Sequence, residues 1–346
     1  MKTIFCTLSL LTATVSLPAL AQSDTKPTVE TLTASSLWTV QASPERLFSS
    51  NFGRILEDLI SAKHPDALAK MDSFADALGF DPRTAVTDIL MLGDNFDGAP
   101  TTAIVQLGAT SGNLEGWLLA APGYQSEDLD ENTILHSFIL EKGDNPRIWC
   151  AIPRNPVDKQ YTLVATFERD RTIELTNKVI EKGTTWLATP SSANTFLSVS
   201  VNDFSKLPMK IDSDDPGSAI VRTIRSVNMQ ASAEDDTLTA HGELTAGSPA
   251  RAQQLQQLLT GLKAMVQLAA MHEDNHDSDR HDPYAFDQKN RPHHDKKGAK
   301  KAAELLNNLT VDHQAGSSTL TANFKISYDA LMALKNGVQE FQTYNE

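Results

Sequence analysis

The chain has 346 residues, 40% hydrophobic side chains and a net charge of −14. Its length fits one large or two ordinary globular domains. Its acidity excludes nucleic acid and anionic membranes as partners, since both require basic surface. Of its two cysteines, Cys6 lies in the N-terminal leader and Cys150 in an apolar run, so a disulfide framework is excluded.

Residues 1–21 read as a secretory signal peptide. Lys2 supplies the basic start, residues 4–17 the apolar stretch, Pro18 the break, and Ala19-Leu20-Ala21 the cleavage site. The apolar stretch falls short of the ~20 residues a membrane span needs. The expectation is an exported protein, periplasmic or secreted, with no membrane insertion after cleavage. Residues 22–35, rich in Ser, Thr and Lys, read as a flexible lead-in.

The remainder predicts an α+β fold of antiparallel sheets with helices on one face, built from repeated units of two strands and a helix. The first half begins with a strand over 37–41, a helix opened by Ser43-Pro44 and a second helix ended by Gly79. A first ββα unit runs Ile89 to Leu92, a turn over 93–98, Ala103 to Leu107 and a helix from Leu114 to Ala121. A strand with alternating side chains spans Ile134 to Leu140 and includes His136. A second unit runs Ile148 to Ile152, Tyr161 to Phe167 and a helix from Asp170 to Glu181, stopped by Gly183.

The second half opens with a strand from Phe196 to Val201 and a helix over Ala219 to Arg225. Its first unit has strands around Val227–Ala231 and Leu238–Leu244, then a helix capped by Ser248-Pro249, with Leu255, Leu258, Leu259, Leu262 and Val266 in one apolar stripe. Its second unit pairs Leu309–His313 with Leu320–Ile326 and closes on a helix with Leu331, Leu334, Val338 and Phe341. The two units share the tetrapeptide T-L-T-A at 237–240 and 319–322. This layout predicts a tandem duplication of halves 36–183 and 195–346, each β-α-(ββα)-(ββα).

In this layout the chain resembles a family of exported proteins with no established activity, abundant in planctomycete-type bacteria. The resemblance covers most of the mature chain. It rests on Ser49-Ser50-Asn51-Phe52-Gly53, Leu78-Gly79-Phe80-Asp81-Pro82, Ala252-Gln253-Gln254-Leu255 running to Gly261-Leu262, and Ile326-Ser327-Tyr328. It implies an exported α+β protein and carries over no catalytic or binding residue.

One segment carries ligand chemistry. The insertion over 271–298 holds five of the nine histidines (His272, His276, His281, His293 and His294), with seven carboxylates among them. Imidazole and carboxylate bind divalent metals, and short His-rich tracts of this kind meet zinc, copper or nickel. Residues 272–276 also spell H-E-x-x-H, in which two imidazoles share a helix face and the glutamate acts as base, here Glu273. Against a zinc hydrolase stand the position of the motif at a helix end, the poor helix formers Asp274, Asn275 and Asp277, and Asp282 where the metzincin spacing needs a third histidine. The sequence therefore predicts a non-enzymatic binding or structural protein with an unknown protein or envelope partner. A divalent-metal-binding protein using 272–294 is the alternative.

Overall fold

The computed structural model describes residues 36–96, 101–108, 110–139, 146–155, 159–183, 194–206, 222–234, 236–274, 303 and 305–332. The predicted signal peptide and lead-in lie outside the described residues, as do His276, His281, His293 and His294 and most of the predicted C-terminal helix.

Strand β1 (Trp38–Ala42) leads through Ser43 into helix α1 (Pro44–Ser49), which starts on a proline already fixed at a helical φ. Helix α2 (Asn51–Lys63) is capped by the Ser50 side chain, which accepts from the Gly53 amide at 3.1 Å. Helix α3 (Pro65–Leu78) stops at Gly79, whose φ of 75° is the left-handed cap that glycine adopts without cost. After the single turn α4 (Pro82–Ala85), strands β2 (Asp88–Gly93) and β3 (Thr102–Gly108) form the first hairpin. Helix α5 (Leu114–Leu119) follows, then β4 (Gln125–Asp130), β5 (Thr133–Ile139), β6 (Arg147–Ala151), β7 (Tyr161–Thr166) and helix α6 (Arg169–Lys182). The rest comprises β8 (Thr195–Val201), a 3₁₀ turn (Phe204–Lys206), β9 (Ile224–Glu234), β10 (Thr237–Ala246), helix α7 (Pro249–Asp274), β11 (Leu309–His313) and β12 (Thr319–Ser327).

All twelve strands join one antiparallel sheet in the order β11-β12-β10-β9-β8-β1-β2-β3-β7-β6-β5-β4. The middle of the sheet is the β1–β8 pair, in register from Trp38↔Val201 to Ala42↔Leu197. Outward from that pair the strands run β1, β2, β3, β7, β6 on one side and β8, β9, β10, β12, β11 on the other. The hairpin β4–β5 extends the first side alone. Its outer strand carries Glu127, Asp128 and Asp130, charges that blunt an open edge.

Helices cover both faces of the first side, not the single face expected from sequence. Leu90, Leu92, Ile104 and Val164 point to one face and pack with Leu175 and Val179 of α6. On the opposite face Leu107 and Cys150 pack with Leu78, Val86, Leu114 and Leu118, and Val105 and Leu163 lie against that cluster. Such a sheet needs apolar residues at consecutive positions, as in Ile89-Leu90-Met91-Leu92. Among the described residues a helix packs on one face of the second side only. Leu244, Leu320 and Val311 pack under Ala252, Leu255 and Leu259 of α7. Register places α7 on the face that carries α5, through Met91↔Val40↔Val199↔Met229↔Gly242.

The other face of the second side is polar from strand to strand. One transverse row reads Gln41, Ser198, Gln230, His241, Asn323, Thr310, and the next Thr39, Ser200, Asn228, Glu243, Thr321, Asp312. The helix expected over Ala219 to Arg225 is corrected at its end. Ile224 and Arg225 open strand β9, where a long β-ladder with β10 outweighs local helix preference.

Candidate interaction surface

The segment richest in metal-ligand residues enters the described structure only at its start. Helix α7 stays helical through Asp274, so His272 and Glu273 belong to its last turn, while the other four candidate histidines lie outside the described residues. Among the described residues no group of three or more His, Cys, Asp or Glu side chains is gathered for a metal.

Several titratable groups are shifted by burial or by ion pairing. Arg83 makes a fork to Asp81, Nε at 3.0 Å from both carboxylate oxygens, and reaches Asp72 at 2.8 Å and Glu57 at 3.4 Å. Its guanidinium holds the Asp81 carboxyl below its ordinary range, and Asp81 caps α4 through the Arg83 amide. The cluster ties α2, α3 and α4 together. Burial raises the pKa of Asp88, and Arg46 partly offsets this.

His136, on β5, is 2% exposed and faces Cys150 across the β5–β6 pair. Its Nδ1 lies 2.9 Å from the Tyr124 hydroxyl, and its Nε2 has no hydrogen-bond partner among the described residues. Burial pushes the imidazole pKa down, and Glu115 opposes this. Burial also pushes the Cys150 thiol up to about 12, the reverse of what a nucleophile requires. His241 on the polar face bonds Asn323 at 2.7 Å, and His313 bonds the Ser317 carbonyl at 2.7 Å.

What stands out is apolar. Helix α7 is capped by Ser248, whose hydroxyl accepts from the Arg251 amide, and packs on the sheet through Ala252, Leu255 and Leu259. Leu258, Leu262, Met265 and Leu268 take no part in that contact and are 48%, 56%, 64% and 57% exposed. The stripe expected from sequence thus splits: Leu255 and Leu259 pack on the sheet, while Leu258 and Leu262 are left exposed. Met229, on the same face of the sheet, is 51% exposed. A single exposed leucine is ordinary, whereas a contiguous apolar stripe marks a contact surface. The sequence signal was present in a helix whose apolar positions outnumber what one packed face uses.

No family model and no curated protein matches the chain. Solved structures of TP0453 are similar to it. Crystal form IV gives a TM-score of 0.42 at 10% identity, covering 88% of this chain and 95% of that one. Crystal form III gives 0.36 at 9% identity, covering 87% and 96%.

Proposed function

We propose that this chain is an exported, non-enzymatic binding protein that works through the outward stripe of α7. The observation that carries the reading is the exposure of four large apolar side chains, Leu258, Leu262, Met265 and Leu268, along α7. Export rests on the leader over residues 1–21. The shifted groups at Arg83, His136 and Cys150 are scattered and explained by packing, which supports a role without chemistry. We further read the chain as a tandem duplication of 36–183 and 195–346. The matching outward order of strands on either side of β1 and β8 supports this, with β4–β5 as an addition to the first copy.

The test is a photoreactive phenylalanine analogue in place of Leu262, in cells exporting the full chain. The expected result is a discrete crosslinked adduct on irradiation, absent when the analogue replaces exposed Glu131. No adduct at 262 overturns the reading. A second reading, divalent-metal binding through His272, His276, His281, His293 and His294, is favoured by the helical course of α7 through Asp274. That course sets His272 on a regular helix with the i, i+4 spacing to 276.

A further inference from the structure

We propose that the outward stripe of α7 seats the same helix of a second copy of this chain, antiparallel to it across a two-fold axis near Leu262. The proposal rests on the reading of this stripe as a contact surface and names its occupant.

Spacing is the first argument. A helix lying on a sheet needs one apolar stripe, and α7 has that in Ala252, Leu255 and Leu259. Leu258, Leu262 and Met265 form a second line with intervals of four and three, the alternation by which two helices interlock. Gly261 lies beside this line in mid-helix, and a Cβ placed there meets nothing within 4 Å. Glycine in a helix interior costs about 1 kcal/mol relative to alanine. Among the described residues no neighbour requires the missing methyl, whereas close approach of another helix does.

Charge is the second argument, and it selects a second copy. Between Arg251 and Glu273 the only charged residue is Lys263, whose ammonium donates to the Leu309 carbonyl at 2.6 Å on the sheet side. The stripe is flanked by Gln254, Gln257 and Thr260, so two chains of net charge −14 meet here without local repulsion. The charges sit at the ends, Arg251 in the first turn and Glu273 with Asp274 in the last. Antiparallel pairing centred on Leu262 sets position 251 of one helix opposite position 273 of the other, twice across the two-fold axis. Parallel pairing would set the acidic ends side by side. This self-complementarity is what an isologous interface requires.

Area is the third argument. Four aliphatic side chains, each about half exposed or more, leave about 400 Å² of apolar surface per copy. Homodimer interfaces are about two-thirds apolar, so the contact amounts to about 600 Å² per copy and about 1,200 Å² in all. That is the low end for specific association and implies a reversible dimer.

The experiment uses the full exported chain and measures mass by light scattering and sedimentation from about 1 to 300 μM, a range bracketing micromolar association. Wild type is expected to move from one chain to two across that range. Leu262→Glu should stay at one chain throughout with an unchanged circular dichroism spectrum. Arg251→Glu should weaken the dimer at least about tenfold, and adding Glu273→Arg should restore it, a rescue that only the antiparallel register predicts. A short bis-maleimide should link Leu262→Cys to a second copy, since Cys150 is buried. A wild type that stays monomeric at 300 μM overturns the proposal, as does a charge swap that fails to rescue, or binding of neutral phosphatidylcholine vesicles that Leu262→Glu abolishes. A crosslinked adduct at 262 with another molecule, from a chain that stays monomeric, refutes the second copy and leaves the contact surface standing.

Discussion

The packing of β1 against β2 can be probed at Gly93. This residue ends β2 directly opposite Trp38 of β1, and β1 in turn pairs with β8. The Trp38 indole occupies the space a side chain at 93 would need. A Cβ there would lie 2.0 Å from Cε2, 2.1 Å from Nε1 and 2.4 Å from Cζ2. The ring is rigid, and its Nε1–H donates to the Asn95 carbonyl at 2.6 Å, so it cannot yield without losing that bond. Overpacking of this kind costs about 1–3 kcal/mol, and the lost hydrogen bond about 1 kcal/mol. Relief of the glycine's unfolded-state entropy returns about 0.5–1 kcal/mol. Gly93→Ala should therefore destabilise by about 1–3 kcal/mol. Urea unfolding followed by tryptophan fluorescence measures it as a lower midpoint at unchanged slope. Gly116→Ala in α5 is the control, since a Cβ there meets nothing within 4 Å; it should stabilise by about 0.5–1 kcal/mol. A Gly93→Ala midpoint at or above wild type refutes the packing of Trp38 on Gly93.

Three further outcomes are expected. Arg83→Ala should lower stability by about 1–2 kcal/mol by thermal unfolding, and Arg83→Lys should recover less than half of the loss, because an ammonium cannot reproduce the fork to Asp81. His136 favours its neutral form in the fold, so its contribution is fully present above the unfolded-state pKa of about 6.5 and is lost as pH falls below it. A urea midpoint that declines from pH 7.5 to pH 5.5 in wild type should decline less in His136→Gln; parallel curves count against the buried imidazole facing Tyr124, Cys150 and Glu115. Removal of 271–297 should lower the zinc, copper or nickel that co-purifies with untagged protein, and equal metal content in both chains sinks the metal reading.

Much of the fold was legible because the sheet imposes a period of two on its sequence. Leu238, Ala240 and Leu244 alternate with Thr239, His241 and Glu243 because one face lies under α7 and the other is polar. The second helical layer was harder to see. On its side of the sheet Thr102, Thr162 and Thr166 are buried, as are Thr172 and Thr176 of α6, and threonines read as surface until a helix is known to lie on them. The unbroken run Ile89 to Leu92 was the available signal of burial on both faces. Strand β4 escaped notice because an edge strand with carboxylates at 127, 128 and 130 has no apolar period. At α7, periodicity identified apolar positions but could not divide them between the sheet and the exterior, which depends on where the helix axis lies over β10 and β12.

The two sides of the sheet share a strand order but differ in what covers them, and the difference lies in particular residues. Helix α6 follows β7 and buries Leu175 and Val179, leaving its charged residues outside; Lys178 pairs with Glu174 at 2.8 Å. Helix α7 follows β10, lies on the opposite face from α6, buries Ala252, Leu255 and Leu259, and leaves four large apolar side chains exposed. Charges on that outward face would cost little in a solitary helix and would add solubility. Leu258, Leu262, Met265 and Leu268 lie outside the core contact between α7 and its own sheet. Packing among the described residues therefore does not account for them. Association does, and it ties the exposed stripe to the glycine beside it and to the opposite charges at the two ends of the helix.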